Sequence, residues 1–346
     1  MNAKPKIPVS SILSPLCGCV ICILLIIIFG SNPREALVSF FTGSFTSRYQ
    51  AGNLFNSAAF LMIAGTGACI ANKSGNMNLG GEGQVYLGGY ITALILSSSI
   101  NLPPVLKVIL ALLLCILSGM FMSMISVILL ELRGAKVLLT SFLVSAAVLP
   151  LIDGLITVSK ANTNQNLLAL PYIDKSYRLS SLLPPSPFNI SFFIAMTLCI
   201  IIWYYMTFTC SGKKISIWGK APLFAQYAGY SSFANTALSL SISGAMHALT
   251  GFFAVTGTYF TCHKGFYTSM GWNALSASLI VSSNSLALIP VSLVLSWLYT
   301  SATRVGLTQG FNFDISGIVQ GVVLFTIAIP FSIDKIKQNK TLRSRK

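Results

Sequence analysis

Charge is scarce in this chain, and acidic charge is scarcest: 7 Asp and Glu stand against 22 Lys and Arg in 346 residues, and only 8% of positions are charged at all. A water-soluble domain of this length does not form from such a composition, because there is too little polar surface to cover it. The alternating pattern of a β-barrel wall is missing too. So are the groupings that carry out chemistry: no nucleophile–base pair and no metal-ligand spacing stands out, so no catalytic residue, metal or cofactor is expected. The 8 cysteines fall in or near apolar runs and imply no disulfide framework; Cys19 and Cys22 have a metal-like spacing but sit alone in an apolar stretch and read as packing. A phosphate loop is absent as well, since the nearest string, Gly67 to Ser74, carries Asn72 where the second glycine belongs.

What the chain does have is long apolar runs. With 54% hydrophobic residues and repeated stretches of about 20, the length that crosses a bilayer as a helix, it reads as an all-α, polytopic integral membrane protein forming one transmembrane domain over residues 1–346. About ten transmembrane helices are expected, near 12–30, 54–72, 82–99, 105–130, 137–158, 188–209, 236–261, 266–281, 285–302 and 315–332. The eighth and ninth meet in a tight turn at Ser282-Ser283-Asn284, and a single re-entrant element reads much the same. The first run lacks a small-residue cleavage site after Phe29 and is expected to remain as a helix.

The basic residues supply an orientation. Starting inside, Lys4, Lys6, Lys73, Arg133, Lys136, Lys213, Lys214, Lys220 and the tail (333–346) put 14 of the 22 Lys and Arg on the cytoplasmic side and leave 8 outside, which favours an even span number with both termini cytoplasmic. The net charge of +15 is then explained by topology and anionic lipid, not by nucleic acid, which wants a basic folded face with aromatics.

The most unusual string is Asn78-Leu79-Gly80-Gly81-Glu82-Gly83-Gln84, an acid and two amides threaded through glycines between two apolar runs. An ionisable group at bilayer depth must face a partner, a protein interior or water. Asn78, Gly80, Glu82, Gly83 and Gln84 resemble the signature of permease subunits of the ABC importers for simple sugars, nucleosides and related ring compounds, with Leu79 and Met77 as departures. Residues 211–235 form a basic, short-helical cytoplasmic segment in which Gly219, Ala225, Tyr227, Ala228 and Gly229 resemble that family's coupling segment, while Ala221 and Phe224 depart from it. Weaker likeness continues at Ser243–Gly251 and Ile318–Leu324.

The resemblance implies an importer in a bacterial plasma membrane, moving a nucleoside, a simple sugar or riboflavin by alternating access. It implies a separate ABC ATPase on the inner face, a second permease copy or a sister permease, and an extracytoplasmic solute-binding protein. Small residues at Ala225 and Ala228 would let the coupling segment approach the ATPase closely; an interfacial helix with snorkelling lysines is the rival reading. Residues 159–187 read as a solvated outer loop or as a docking surface for the binding protein. An ion-coupled secondary transporter is the competing class, but Glu82, Asp153 and His247 are scattered and make a poor proton path. Glu82 reads as a helix cap or a brace of the glycine turn, Asp153 as hydrated or paired, and His247 as a hydrogen-bonded core residue. Asn53, Asn56 and Phe60, spaced by three and four, put two amides and an aromatic plane on one helix face, which suits either a ring-shaped solute or a polar helix start with a packed Phe.

The charge asymmetry generates a direct test. Single cysteines placed at Asn164 and at Asn339 in a cysteine-free background should respond oppositely to an impermeant thiol reagent added to intact spheroplasts, with Asn164 labelled and Asn339 protected; labelling of both would overturn the even span count.

Overall fold

A computed structural model describes residues 9–158 and 167–328. The basic tail expected over 333–346 and the first part of the outer loop lie outside the described residues. Among these, the chain is helical with one isolated β-bridge, Ala169 to His263. The helices are α1 (Val9–Phe29), α2 (Pro33–Thr42), α3 (Arg48–Lys73), α4 (Gly81–Ser97), α5 (Pro104–Arg133), α6 (Val137–Val158), α7 (Ser191–Phe208), α8 (Cys210–Lys220), α9 (Pro222–Tyr227), α10 (Ser232–Ala254), α11 (Met270–Ile280), α12 (Leu288–Thr308) and α13 (Ile315–Ala328). Six of them, α3, α5, α6, α7, α10 with its π-helical extension, and α12, are long and apolar enough to cross a membrane. The region 266–302 resolves into two helices, with α11 half the length of α12.

Small side chains decide which helices lie at the centre. The apolar stretch of α3 is 89% buried and that of α10 78%, against 28%, 22% and 28% for α5, α6 and α7. α3 carries Ala58-Ala59 and Ala64-Gly65-Thr66-Gly67-Ala68, and α10 carries Ser243-Gly244-Ala245, so neighbouring backbones approach closely. One close crossing sets Gly119 of α5 against Gly244 of α10, where a Cβ added to either glycine would collide with the carbonyl oxygen of the other. α5, α6 and α7 present Leu, Ile and Phe outward, as a lipid-facing rim does.

One short helix lies outside the expected spans. Pro33 at its first turn and Glu35 beside it suit a helix start, and α2 buries Ala36 and Phe40, the latter with its ring 5.4 Å from Trp297 of α12. Ten residues of mixed polarity give no spanning signal, so the hydropathy pattern passes over it.

α4 with 17 residues and α11 with 11 are too short for a full crossing, at about 25 and 16 Å by the rise of 1.5 Å per residue. Both begin at depth. The chain leaves α3, turns inward through irregular residues 74–80, and starts α4 beside Ser243, the middle residue of α10. Correspondingly, α10 ends in a π-turn (Val255–Tyr259), Phe260 takes a left-handed φ of 57°, and irregular residues lead to α11. Residues 168–179 satisfy that exposed backbone: the Leu170, Ile173 and Leu179 amides donate to the Cys262, Phe260 and Thr256 carbonyls, and the Lys264 amide to Leu168, all within 3.0 Å. Non-helical chain at membrane depth is tolerated only when enclosed in this way.

The two ends of the bundle are distinct. At one, Arg304 near the end of α12 donates to the Gly43 carbonyl and to Thr46 just ahead of α3. At the other, Gly219 of α8 packs against the Lys73–Gly75 backbone at the end of α3. α1 and α13 are antiparallel: Ser14 Oγ donates to the Val323 carbonyl at 2.7 Å, and Phe29 meets Phe313 at 5.3 Å.

The glycine crossing should not tolerate bulk. Gly244→Leu is expected to cost about 1–3 kcal/mol or more through overpacking and to lower both membrane abundance and the denaturation midpoint of the purified protein. Gly321→Leu on α13, where an added Cβ meets nothing within 4 Å, should stay near wild type in the same assay.

Candidate functional site

The Asn78–Gln84 string forms a buried polar knot. Asn78 Nδ2 donates to Gln84 Oε1 and to Ser243 Oγ, each at 3.0 Å, and Asn78 Oδ1 accepts from the Gly80 amide at 2.9 Å. Gln84 Nε2 reaches Ser123 of α5 at 3.0 Å. The Leu79 and Gly83 amides, which α4 itself leaves without partners, donate to Ser141 and Ser145 of α6 at 3.0 and 2.8 Å. Asn78, Leu79, Gly83 and Gln84 therefore tie the start of α4 to α5, α6 and α10. Ser243 belongs to the Ser243–Gly251 likeness, but Ser123, Ser141 and Ser145 were not singled out by sequence reading, because a serine in an apolar span carries no periodic signal.

Glu82 lies in the first turn of α4. Its carboxylate is met by the backbone amide of Ser269 at the start of α11, while its Oε1 is buried without a partner among the described residues. Gly271 sits so close that a Cβ there would lie 2.5 Å from the Glu82 nitrogen. A carboxylate held between the positive ends of two helices is stabilised by both dipoles. His247 is buried, with Nδ1 2.8 Å from the Ser243 carbonyl, in keeping with a core histidine. Asp153 is paired, accepting from Tyr86 at 2.6 Å and lying 3.8 Å from Lys264.

At the Arg304 end, a cavity of about 1160 Å³ opens between the first half of α3, the π-turn, α12 and residues 179–187. Asn53, Asn56 and Phe60 all line it. Tyr299 of α12, which sequence reading did not single out, lines it too.

At the other end, α8 and α9 stand on the terminus of α3. Gly219 is the seat of α8, since a side chain there would overlap the Lys73 carbonyl. Tyr227 is 92% exposed, and Leu223 and Phe224 beside it are 71% and 64% exposed. Ala228 and Gly229 also face outward, Gly229 with a φ of 77°. Ala225 is different: it is fully buried and accepts a backbone bond from Tyr230. The expectation that Ala225 gives a partner close approach is therefore corrected. In a helix of six residues one position must face the body of the protein, and this is that position.

An apolar helical bundle with a polar cavity at one end, a hydrogen-bonded knot at mid-depth and an exposed apolar knob at the other end has the build of a polytopic membrane permease. The family described as "Branched-chain amino acid transport system / permease component" matches residues 50–328, and the chain belongs to it. The chain is 29% identical over 326 residues to a probable riboflavin import permease protein of Treponema pallidum, covering 94% of this chain and 86% of that protein. It is 24% identical over 349 residues to a nucleoside ABC transporter permease protein of Lactococcus lactis, covering 96% and 94%. A guanosine ABC transporter permease protein of Bacillus subtilis is 21% identical over 322 residues, covering 90% of each.

The knot predicts a stability effect. Asn78→Leu strips the side-chain hydrogen bonds of Asn78 and leaves Gln84, Ser243 and the Gly80 amide short of partners, which should cost about 2–4 kcal/mol. Thermal denaturation of the purified permease should show a clear drop for Asn78→Leu, whereas Glu82→Gln, which keeps shape and an acceptor, should denature close to wild type.

Proposed function

We propose that this chain is the permease subunit of an ATP-driven importer in a bacterial plasma membrane, and that its solute is a nucleoside, riboflavin or a related ring compound. The observation that carries the reading is the full-length likeness to permeases named for riboflavin, nucleosides and guanosine, joined to a polar cavity and an apolar knob at opposite ends of one buried helix. Ten crossings with both termini cytoplasmic are supported by the charge split and by the antiparallel α1 and α13. In that arrangement the cavity opens outward and α8–α9 faces the cytoplasm.

Tyr227, Ala228 and Gly229, with Leu223 and Phe224, form the surface that docks into the ATPase, while Gly219 and Ala225 seat that surface on α3. Three large apolar side chains standing this exposed on a six-residue helix are costly unless a partner covers them. The solute enters from a binding protein at the outer segment and passes Asn53, Asn56 and Phe60, and the permease works as a dimer with itself or a sister subunit. Closure of the ATPase pair moves α8, its seat on the end of α3, and with it the helices around the cavity. An ion-coupled transporter is disfavoured by the engagement of Asp153 with Tyr86 and of His247 with Ser243.

Truncating the knob is the test. Phe224→Ala and Tyr227→Ala should leave membrane abundance unchanged, because neither side chain is packed, yet reduce co-purification of the ATPase and uptake by roughly tenfold each, the loss expected for an interface anchor. An interfacial lipid anchor would keep the ATPase attached. Wild-type uptake that collapses with an uncoupler while ATP is held constant would overturn the ATP-driven reading.

A further inference from the structure

The cavity is nearly free of charge. Among its lining residues only Arg304 is charged, and its guanidinium is already engaged by Gly43 and Thr46 at the rim. Most hydroxyls in the α12 wall are engaged as donors: Ser296 to the Leu54 carbonyl at 2.6 Å, Thr300 to Ser296 at 2.7 Å and Thr303 to Tyr299 at 2.9 Å. Neither an anion nor a cation finds a counter-charge in the interior, so the cavity suits an uncharged solute.

Two polar atoms break this pattern of satisfied groups. Asn56 is 4% exposed, and its Nδ2 donates to Thr258 Oγ1 at 2.9 Å, which fixes the amide while Oδ1 is left buried with no partner. Tyr299 is 6% exposed, and its hydroxyl is likewise buried with no partner. Buried polar atoms are seldom left so, because each forgoes a water bond without replacing it. The residue that orients Asn56 belongs to the π-turn, and the next but one, Phe260, holds a left-handed backbone that a bulky side chain adopts only under constraint. Such local strain collects where a wall is shaped for a ligand. Phe60, one turn from Asn56 along α3, adds an aromatic surface to the same cavity.

We propose that Asn56, Tyr299 and Phe60 form a solute subsite that reads the lactam edge (–NH–CO–) of an uncharged heterocycle. Asn56 Oδ1 accepts from the ring N–H, the Tyr299 hydroxyl donates to the ring carbonyl, and Phe60 packs on the ring. A lactam presents donor and acceptor on one rigid plane, and a nucleobase or a flavin carries one, whereas a simple sugar offers only hydroxyls. The inference rests on the permease reading above and narrows it: purely sugar-like solutes are excluded, and so are phosphorylated forms.

The test is initial uptake of guanosine, riboflavin, ribose and flavin mononucleotide by cells carrying the complete transporter, as wild type and as Tyr299→Phe and Asn56→Leu. Wild type should take up guanosine or riboflavin with dependence on ATP and should not take up flavin mononucleotide. Each variant should raise the half-saturating concentration for the transported lactam at least about fivefold, the loss of one neutral hydrogen bond, at unchanged membrane abundance and ATPase attachment. Wild-type kinetics in both variants would mean that water alone satisfies the two atoms, and would overturn the subsite while leaving the permease reading intact. ATP-dependent wild-type uptake of ribose with neither lactam would also overturn the subsite. If wild type moves none of the four under ATP, the permease reading itself falls and the subsite with it.

Discussion

A lipid interior offers no hydrogen-bond partner, and this one constraint organises the molecule. The chain carries irregular backbone at depth in two places, residues 74–80 and 260–269, and each has to be closed off by protein. The first is closed by Asn78 and Gln84 with serines from α5, α6 and α10. The second is closed by residues 168–179, whose amides at Leu170, Ile173 and Leu179 pair with Cys262, Phe260 and Thr256. Because both stretches are enclosed, α4 and α11 can begin inside the bundle with their positive ends near Glu82.

The packing follows from the same closure. Polar knots need neighbours at hydrogen-bond distance, and those distances require small residues where the backbones cross, as at Gly119 and Gly244. Hence α3 and α10, rich in Ala, Gly, Ser and Thr, are central, and the Leu- and Ile-rich α5, α6 and α7 form the rim. α3 also joins the functional parts. Its first half carries Asn53, Asn56 and Phe60 into the cavity, and its last residue, Lys73, forms part of the seat of α8. One rigid helix, buried over most of its length, thus runs from the cavity wall to the seat on which α8 packs, and α8 carries the exposed knob of α9.

How much of this was legible in the sequence depends on the range of the interaction concerned. Long apolar runs locate α5, α6 and α7 to within three residues, because the bilayer fixes a minimum length whatever the neighbours are, while α3 starts six residues before its expected span and α10 gives way to the π-turn seven residues before the expected end. The ten-residue α2 was missed, since its apolar face is matched to Trp297, far away in the chain. Asn53, Asn56 and Phe60 share a face by local helical spacing, so their meeting was readable; that Tyr299 lines the same cavity was not.

The sequence by itself determined the solvent this protein lives in, the positions of its spanning helices, its likeness to importer permeases and the polar string that marks it. Each of those is a property of one stretch of chain. Tertiary structure alone decided that Gln84 meets Ser123, that Glu82 serves the start of α11, that Ala225 faces inward while Tyr227 faces out, and that Asn56 and Tyr299 are each left one hydrogen bond short beside one cavity. These are pairings between segments tens to hundreds of residues apart, set by which small residues let which helices touch, and no local pattern encodes them.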